Sequence, residues 1–267
     1  MPFQLAHCVG DWALVTGASA GIGREFARQL AARGMNVVIV ARREPLLQAL
    51  AAEIEQAHGV RVLPLALDLS TPGAGQALST RVEDLGDVRL RLVVNNAACG
   101  RWGPFDAAQA SRYAEIVQLN CAAVVEVAVA VLPVLVRSAP SALVNVSSQA
   151  AYQPVPYMAV YGASKAFVQS FSQALYEELA HAGVLVQTLV PAPTATEFDQ
   201  RAGAYTSAVV ERGTAAAVVA ASLAGLERGA AVASNAPGLW KQRLFAGLFR
   251  PEFVLRQVAK LFRPPSA

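Results

Sequence analysis

The sequence is poor in charge, cysteine and histidine, and each shortage narrows the class of protein. Of its 267 residues 15% are charged and the net charge is +3, too little for a nucleic-acid surface. The three cysteines form neither a CxxC pair nor an even framework, which indicates a reducing compartment, and we expect a cytoplasmic protein. The three histidines lie far apart in the chain, so the sequence predicts no metal site.

The sequence also shows no signal peptide and no evident membrane span. The N-terminus lacks a basic stretch followed by an apolar one. The longest apolar stretch, 121–136, has 16 residues and contains Glu126 and Pro133, so we interpret it as a buried helix. Apolar side chains are abundant at 54% of the total, which is enough for a large core.

Short runs rich in β-branched residues alternate with longer helical patterns along the chain. The strand candidates are 12–16, 36–41, 61–67, 90–95, 141–147, 184–190 and 230–234. The helix candidates are 22–33, 45–57, 74–85, 112–137, 162–182, 211–226 and 240–262. Because the strand candidates are apolar throughout, they predict a doubly wound α/β fold, a parallel sheet with helices on both faces. We expect one domain over 1–236, with 237–267 as its C-terminal extension.

A glycine-rich loop follows the first strand candidate. Glycines at this strand-to-helix turn let the backbone approach a pyrophosphate at the helix N-terminus, although they also suit a plain turn. We interpret the loop as a dinucleotide site formed by Gly17, Ser19, Ala20, Gly21, Ile22 and Gly23.

The end of the second strand indicates which dinucleotide the loop accepts. An acid there would bind the ribose 2′-hydroxyl of NAD, but the sequence has Ala41, Arg42 and Arg43. Guanidinium groups suit a 2′-phosphate, so we predict NADP(H); a solvated arginine pair is the alternative. Asp68, after the third strand, is placed to meet the adenine ring or to cap a helix.

Five ordered motifs resemble those of the short-chain dehydrogenase/reductase family: "TGASAGIG" (16–23), "NNAA" (95–98), Asn120, "SS" (147–148) and "YGASK" (161–165). The resemblance covers about 11–235 and implies a Rossmann sheet. It implies the catalytic set Asn120, Ser148, Tyr161 and Lys165, with Asn120 holding a water that relays protons to the lysine. It also implies nicotinamide cofactor contacts at Asn96, Ala97, Tyr161, Lys165, Pro191, Thr194 and Thr196. Two positions depart from the family pattern, since Ala98 and Ala192 replace glycines.

The proposed chemistry explains the residue types of that set. Reducing a ketone by hydride builds negative charge on oxygen, which must receive a proton. Lowering the pKa of Tyr161 by about 3 units needs roughly 4 kcal/mol, much of which the ammonium of Lys165 could supply. Ser148 would hydrogen-bond the substrate oxygen. Strand alternation sends Ser147 and Ser148 to opposite faces, and periodicity alone leaves open which one faces the substrate.

Three further residues are candidates for substrate contact. Cys99 and Trp102 follow the fourth strand, and Tyr157 lies in a proline-rich loop before Tyr161. Plain packing is the alternative for each.

The C-terminal segment 237–263 pairs apolar residues with positive charge. From 237 to 267 there are six basic residues and one acid, a net charge of +5. Pro251 should divide the segment into two short amphipathic helices. These helices could pack on the domain or a neighbouring subunit, cover the substrate cleft, or lie on an anionic membrane surface.

We predict an NADPH-dependent carbonyl reductase, or the reverse alcohol dehydrogenase, acting on a small-molecule ketone or secondary alcohol of apolar character, such as a keto-acyl or steroid-like one. The alternative is a non-catalytic NADP(H)-binding protein, regulatory or membrane-associated, with the same fold. The resemblance also implies a homodimer or homotetramer formed through the helices near 112–137 and 162–182.

Overall fold

A parallel sheet runs through the centre of the protein. The computed structural model describes residues 2–84, 86, 88–203 and 212–264. Its strands are β1 (Trp12–Thr16), β2 (Asn36–Ala41), β3 (Val62–Ala66), β4 (Leu90–Asn95), β5 (Ser141–Val146), β6 (Val184–Val190) and β7 (Val232–Ser234). They are ordered β3-β2-β1-β4-β5-β6-β7, and every neighbouring pair is parallel. The predicted doubly wound α/β fold is confirmed.

Helices cover both faces of this sheet. They are α1 (Gly21–Ala31), α2 (Glu44–His58), α3 (Ala74–Glu83), α4 (Ala110–Val117), α5 (Ala123–Arg137), α6 (Ala159–Glu178), α7 (Glu197–Ala202), α8 (Ala215–Glu227), α9 (Leu239–Leu248) and α10 (Pro251–Phe262). A π-helical turn, Gln118–Ala122, joins α4 to α5. Pro251 begins α10, so the C-terminal pattern forms two helices as expected. Residues 85 and 211 of two predicted helices, and 265–267 of the extension, lie outside the described residues.

The alternation of side chains along each strand builds two cores from one sheet. In β1, Ala13 and Val15 join the core that contains Phe26 of α1. Trp12 and Leu14 point the other way and join the core formed with α3 and α5. Because both faces of the central strands are buried, apolar residues predominate in them, with few polar exceptions such as Asn145 and Gln187, and this is the pattern that identified them in the sequence.

The most apolar helical stretch packs against the domain. Residues 110–137 are long and apolar enough to cross a membrane by length and composition alone, longer than the 16-residue run suggested. Val127 and Val131 of this stretch are nevertheless fully buried in the core. The carboxylate of Glu126 accepts the backbone N–H of Gly75 at 3.0 Å, in the first turn of α3. An anion is stabilised at a helix N-terminus, which accounts for an acid in this helix.

The strand order creates a crevice at the carboxyl end of the sheet. After β1 the chain turns towards β2, and after β4 it turns towards β5, although β1 and β4 are neighbours. The loops that follow these two strands therefore part from one another. In doubly wound sheets ligands bind at such a point.

Candidate active site

A cleft of about 840 Å³ opens at this crevice. Most residues that the sequence singled out lie on its wall: Gly17, Ser19, Ala20, Gly21, Ile22, Arg42, Arg43, Asp68, Asn96, Ala97, Cys99, Ser148, Tyr161, Lys165, Pro191, Thr194 and Thr196. Four others, Gly23, Asn120, Trp102 and Tyr157, lie behind that wall. Their contacts show that they support the residues in front of them.

The glycine-rich loop is packed so closely that it admits no side chain at two positions. A Cβ on Gly23 would lie 2.5 Å from the carbonyl oxygen of Gly17 and 2.6 Å from Nδ2 of Asn96. A Cβ on Gly17 would lie 2.8 Å from the same Nδ2, and the φ of +67° at Gly17 is left-handed. The loop therefore presents bare backbone at the N-terminus of α1, the arrangement that a pyrophosphate requires.

Hydrogen bonds fasten the loop after β4 to the end of β1. The Thr16 hydroxyl accepts the backbone N–H groups of Asn96 at 2.9 Å and Ala97 at 3.0 Å. In return, Nδ2 of Asn96 donates to the Thr16 carbonyl at 2.9 Å. The two sides of the crevice are thus held at a fixed separation.

Two arginines stand at the end of β2, on the adenosine side of the cleft. Arg43 donates to the Ser19 hydroxyl at 2.9 Å and to the Glu197 carboxylate at 3.1 Å. The guanidinium of Arg42 lies 3.6 Å from the Asp68 carboxylate and 3.7 Å from that of Glu115. Both cations thus border the cleft and are paired with acids.

Glu197 also lines this side of the cleft, and the sequence pattern did not single it out. Its carboxylate lies 3.1 Å from Arg43, 2.7 Å from Arg201 and 3.9 Å from Arg24. It begins α7, a single short helix, so its position depends on long-range packing and no local signal marks it. The Glu197 carboxylate therefore places a negative charge beside Arg43, whose guanidinium would suit a phosphate.

Asp68 closes a turn as well as lining the cleft. Its carboxylate accepts the backbone N–H of Ser70 at 2.9 Å and the Ser70 hydroxyl at 2.6 Å. Burial would raise the pKa of Asp68, but these hydrogen bonds and Arg42 outweigh it and hold that pKa below its ordinary value. The N-cap of α3 is Gly73, so the helix-capping alternative for Asp68 is wrong.

On the other side of the cleft, Tyr161 and Lys165 stand one turn apart at the start of α6. Ser148 and Tyr161 both line the cleft, and Ser148 lies near enough to the Tyr161 hydroxyl to lower its pKa. Lys165 is buried, and its Nζ donates to the Val146 carbonyl at 2.8 Å. The hydroxyl of Ser147 donates to the backbone carbonyl of Lys165 at 2.9 Å. Ser148 therefore faces the reacting groups, whereas Ser147 fastens β5 to α6.

The pKa of Tyr161 differs from the value expected from the sequence. Burial raises the pKa of Tyr161 to about 12; the hydrogen bond with Ser148 opposes this rise and the Asp199 carboxylate adds to it. Burial lowers the pKa of Lys165 to about 8. The expected lowering of the Tyr161 pKa is wrong for this structure because burial of the hydroxyl has the larger effect. The Lys165 Nζ lies 5.9 Å from the Tyr161 ring centroid and donates to Val146. Tyr161 is therefore protonated at neutral pH.

Asn120 positions the catalytic helix from behind the wall. It is fully buried in the π-helical turn, where helices are locally widened. Its Oδ1 accepts the Cys99 N–H at 3.0 Å, and its Nδ2 donates to the Cys99 carbonyl at 2.9 Å and the Ser164 hydroxyl at 3.0 Å. Ser164 in turn donates to the Tyr161 carbonyl at 2.7 Å. The amide is thus committed to these partners, which leaves little capacity for the expected water.

An apolar wall surrounds Tyr161 at the open end of the cleft. Phe198 of α7 packs on the Tyr161 ring, with centroids 5.1 Å apart. The lining residues here that the sequence did not identify come from the loop before α6 and from α7, α9 and α10: Val155, Met158, Phe198, Gln242, Leu261 and Phe262. The C-terminal helices therefore pack on the domain and line one side of the cleft, while the membrane alternative for that segment stays a prediction.

Trp102 and Tyr157 anchor α10 and do not line the cleft, so their assignment to the substrate wall is corrected. Trp102 is buried, and its indole Nε1 donates to the Phe262 carbonyl at 2.9 Å. The Tyr157 hydroxyl accepts from Arg263 at 3.2 Å. Sequence position near the cleft did not indicate where these side chains point. Cys99 does lie on the wall.

Comparisons with known proteins identify the family. The pattern of the short chain dehydrogenase family matches residues 11–207, so the chain belongs to this family of oxidoreductases. A very-long-chain 3-oxoacyl-CoA reductase of Laccaria bicolor is 39% identical over 182 residues, 67% of this chain and 54% of that protein. An inactive hydroxysteroid dehydrogenase-like protein 1 of Pongo abelii is 36% identical over 191 residues, 71% of this chain and 57% of that protein. The chain thus matches little more than half the length of these curated relatives.

Solved structures of the family are similar over nearly the whole chain. A short-chain dehydrogenase from Sphingobium yanoikuyae in complex with NADPH has a TM-score of 0.80 at 34% identity, covering 90% of this chain and 96% of that one. A bulky-bulky ketone specific alcohol dehydrogenase from Comamonas testosteroni has a TM-score of 0.75 at 29% identity, covering 90% and 95%. The fold is therefore shared with these two solved structures.

The two neighbouring serines should separate chemistry from packing. Ser148→Ala removes the group beside the Tyr161 hydroxyl, so we expect kcat/KM for a ketone to fall about 100- to 1000-fold. Its stability should fall by about 1 kcal/mol or less, because the Ser148 hydroxyl also accepts the Ala150 N–H at 3.2 Å. Ser147→Ala removes a hydrogen bond to the Lys165 carbonyl, which should lower the free energy of unfolding by about 0.5–1.5 kcal/mol with little change in kcat/KM. Steady-state kinetics and urea unfolding of both variants measure these effects. A larger kinetic loss in Ser147→Ala would contradict the assignment.

Proposed function

We propose that the protein is an NADPH-dependent carbonyl reductase, or the reverse alcohol dehydrogenase, which transfers a hydride between nicotinamide and a ketone or secondary alcohol. The observation that carries the proposal is that Ser148, Tyr161 and Lys165 meet on the wall of one cleft, with Lys165 buried one helical turn behind Tyr161. The relatives named as reductases and the ketone-specific alcohol dehydrogenase support it.

The residues of the adenosine side fit the cofactor. The bare backbone at Gly17 and Gly23 leaves room for a pyrophosphate that a Cβ would remove. Arg42 and Arg43, with the Ser19 hydroxyl, would hold a 2′-phosphate, and charge-assisted hydrogen bonds of this kind are worth about 1.5–3 kcal/mol each. A bound NADPH would supply the hydride, and the preference for it over NADH rests on these arginines.

The proton chemistry follows from the shifted pKa values of Tyr161 and Lys165. With its pKa near 12, Tyr161 keeps its proton at neutral pH and can give it to the oxygen of a reduced ketone. Ser148 hydrogen-bonds the same oxygen, where negative charge develops. Lys165, with its pKa near 8, is mainly cationic at pH 7 and stabilises the phenolate that Tyr161 leaves behind. In the reverse direction the phenolate accepts the proton of an alcohol.

The walls of the cleft favour an apolar substrate. Val155, Met158, Phe198, Leu261 and Phe262 surround the space next to Tyr161. We therefore propose a ketone with bulky apolar substituents, such as a 3-oxoacyl chain or a steroid-like ketone. Binding would bury the apolar groups of such a substrate, at about 25 cal/mol for each Å² removed from water.

The alternative is a cofactor-binding protein that performs no turnover. It is favoured by one observation, the similarity to relatives named as inactive hydroxysteroid dehydrogenase-like proteins. Against it stands the presence of Ser148, Tyr161 and Lys165 together on the cleft wall. We therefore place it second.

We also propose a homodimer or homotetramer in the cytoplasm. Among the described residues, Val129, Val136 and Phe167 on α5 and α6 are exposed by 66%, 41% and 42%, which supports a subunit contact through these helices. The three cysteines are free, as a reducing compartment would allow. A monomeric mass in light scattering would contradict the oligomer.

A panel of apolar ketones, followed through NADPH absorbance, tests the activity. We expect turnover of at least one bulky ketone, and a loss of about 1000-fold or more in Tyr161→Phe, which keeps the ring packing on Phe198 but has no proton to give. NADPH binding to the variant should be nearly unchanged. Binding of NADPH without turnover across the whole panel would favour the non-catalytic alternative.

Equilibrium titration with NADPH and NADH tests the adenosine side. Arg43→Ala removes a phosphate donor, so NADPH should bind about 10- to 100-fold more weakly while NADH binding changes little. Glu197→Gln removes the carboxylate that competes for Arg43, so NADPH should bind up to about fivefold more tightly. Equal effects on both cofactors would show that neither side chain senses a 2′-phosphate.

A further inference from the structure

The C-terminal helices are fixed to the domain by their inner faces. Gln242 of α9 donates to the Gln149 carbonyl at 3.1 Å. Val254 and Val258 of α10 are buried in a cluster with Trp102. The same two helices line the cleft through Gln242 and Phe262. The pair therefore forms one rim of the cleft mouth, and its other side faces away from the domain.

That outer side of α9 is apolar where a surface helix should be polar. Trp240, Leu244 and Leu248 recur every four residues and so share one face. Their exposed fractions are 65%, 51% and 69%. A water-facing helix places polar groups on this side, so three large apolar side chains in one row indicate contact with an apolar medium.

Aromatic side chains continue this surface into the bend between the helices. Phe249 and Phe253 are exposed by 48% and 45%. Both pack on Phe245, with ring centroids 4.8 Å and 6.2 Å away, and they lie 5.4 Å from each other. The apolar surface therefore spans the break at Pro251 and joins α9 to α10.

Positive charge accompanies the apolar surface. Lys241 lies beside the Trp240 ring, with Nζ 5.6 Å from the centroid. Two exposed basic residues, Arg256 and Lys260, follow Phe253 by three and seven residues on α10. At that spacing they share its outer face with Phe253. The segment 237–267 has a net charge of +5, whereas the chain as a whole has +3. An apolar face bordered by basic residues is typical of helices that lie in a membrane interface.

We propose that the outer face of α9 and α10, formed by Trp240, Leu244, Leu248, Phe249 and Phe253 with the basic residues beside them, binds an anionic membrane surface. The charge complementarity selects anionic lipid over a neutral apolar partner. The cleft mouth then lies beside the bilayer. Only the consequence for substrate rests on the proposed function: an apolar ketone could pass from lipid to Tyr161 without crossing water.

Co-sedimentation of the full-length chain with vesicles tests the proposal. We expect binding to vesicles of phosphatidylglycerol and phosphatidylcholine at low salt, and about tenfold weaker binding to phosphatidylcholine alone or at high salt. The combined variant Trp240→Ser, Leu244→Ser and Leu248→Ser should lose at least about tenfold in partitioning. The pair Arg256→Glu and Lys260→Glu should lose a similar factor.

A matched control replaces three exposed apolar residues on other elements, Val9→Ser, Leu46→Ser and Phe105→Ser, which are exposed by 69%, 41% and 66%. It should bind like the parent chain. Failure of the parent to sediment, or an equal loss in the control, would overturn the proposal. A third result would also overturn it: the triple variant at Trp240, Leu244 and Leu248 binds vesicles like the parent chain but has a smaller mass than the parent in light scattering. That result would assign the surface to contact with a second copy of the chain. NADPH oxidation with a water-soluble ketone, without vesicles, tests the catalytic proposal separately.

Discussion

The site depends on one buried cation. The Lys165 ammonium is removed from water and donates to the Val146 carbonyl at the end of β5. A buried charge is costly unless it is hydrogen-bonded, so this bond fixes α6 against β5. One turn earlier on the same helix, Tyr161 is thereby directed at Ser148. The chain has three lysines among 22 basic residues, and a compact ammonium suits this confined position better than a planar guanidinium.

Three consecutive residues, 196–198, contact both the glycine loop with Arg43 on one side of the cleft and Tyr161 on the other. Thr196 packs against the glycine loop, where a Cβ on Gly21 would lie 3.0 Å from it. Glu197 pairs with Arg43 on the adenosine side, and Phe198 packs on Tyr161 on the proton-transfer side. An anion that displaces Glu197 from Arg43 would therefore act on the same short helix that forms the catalytic wall.

The sequence predicted the sheet because strands buried on both faces are mostly apolar. Most of the residues that it singled out lie on the cleft wall, and Tyr161 and Lys165 among them are recognised by their spacing. What it missed depends on packing between distant segments. Glu197 meets its arginines across the cleft, and Trp102 meets α10 from 160 residues away. The shift in the Tyr161 pKa was predicted with the wrong sign because a sequence shows the nearby charge but not the burial that outweighs it.

The pH dependence of ketone reduction tests the central claim, that a protonated Tyr161 works beside a buried, cationic Lys165. The pKa of Lys165 is lowered to about 8, so its charge is present below that pH and lost as the pH rises through it. We therefore predict that kcat/KM is constant at neutral pH and falls above about 8 with a single ionisation, while Tyr161, with its pKa near 12, remains protonated. NADPH affinity measured over the same range separates catalysis from binding. A rate that stays constant to pH 10, with the fold intact, would contradict the account.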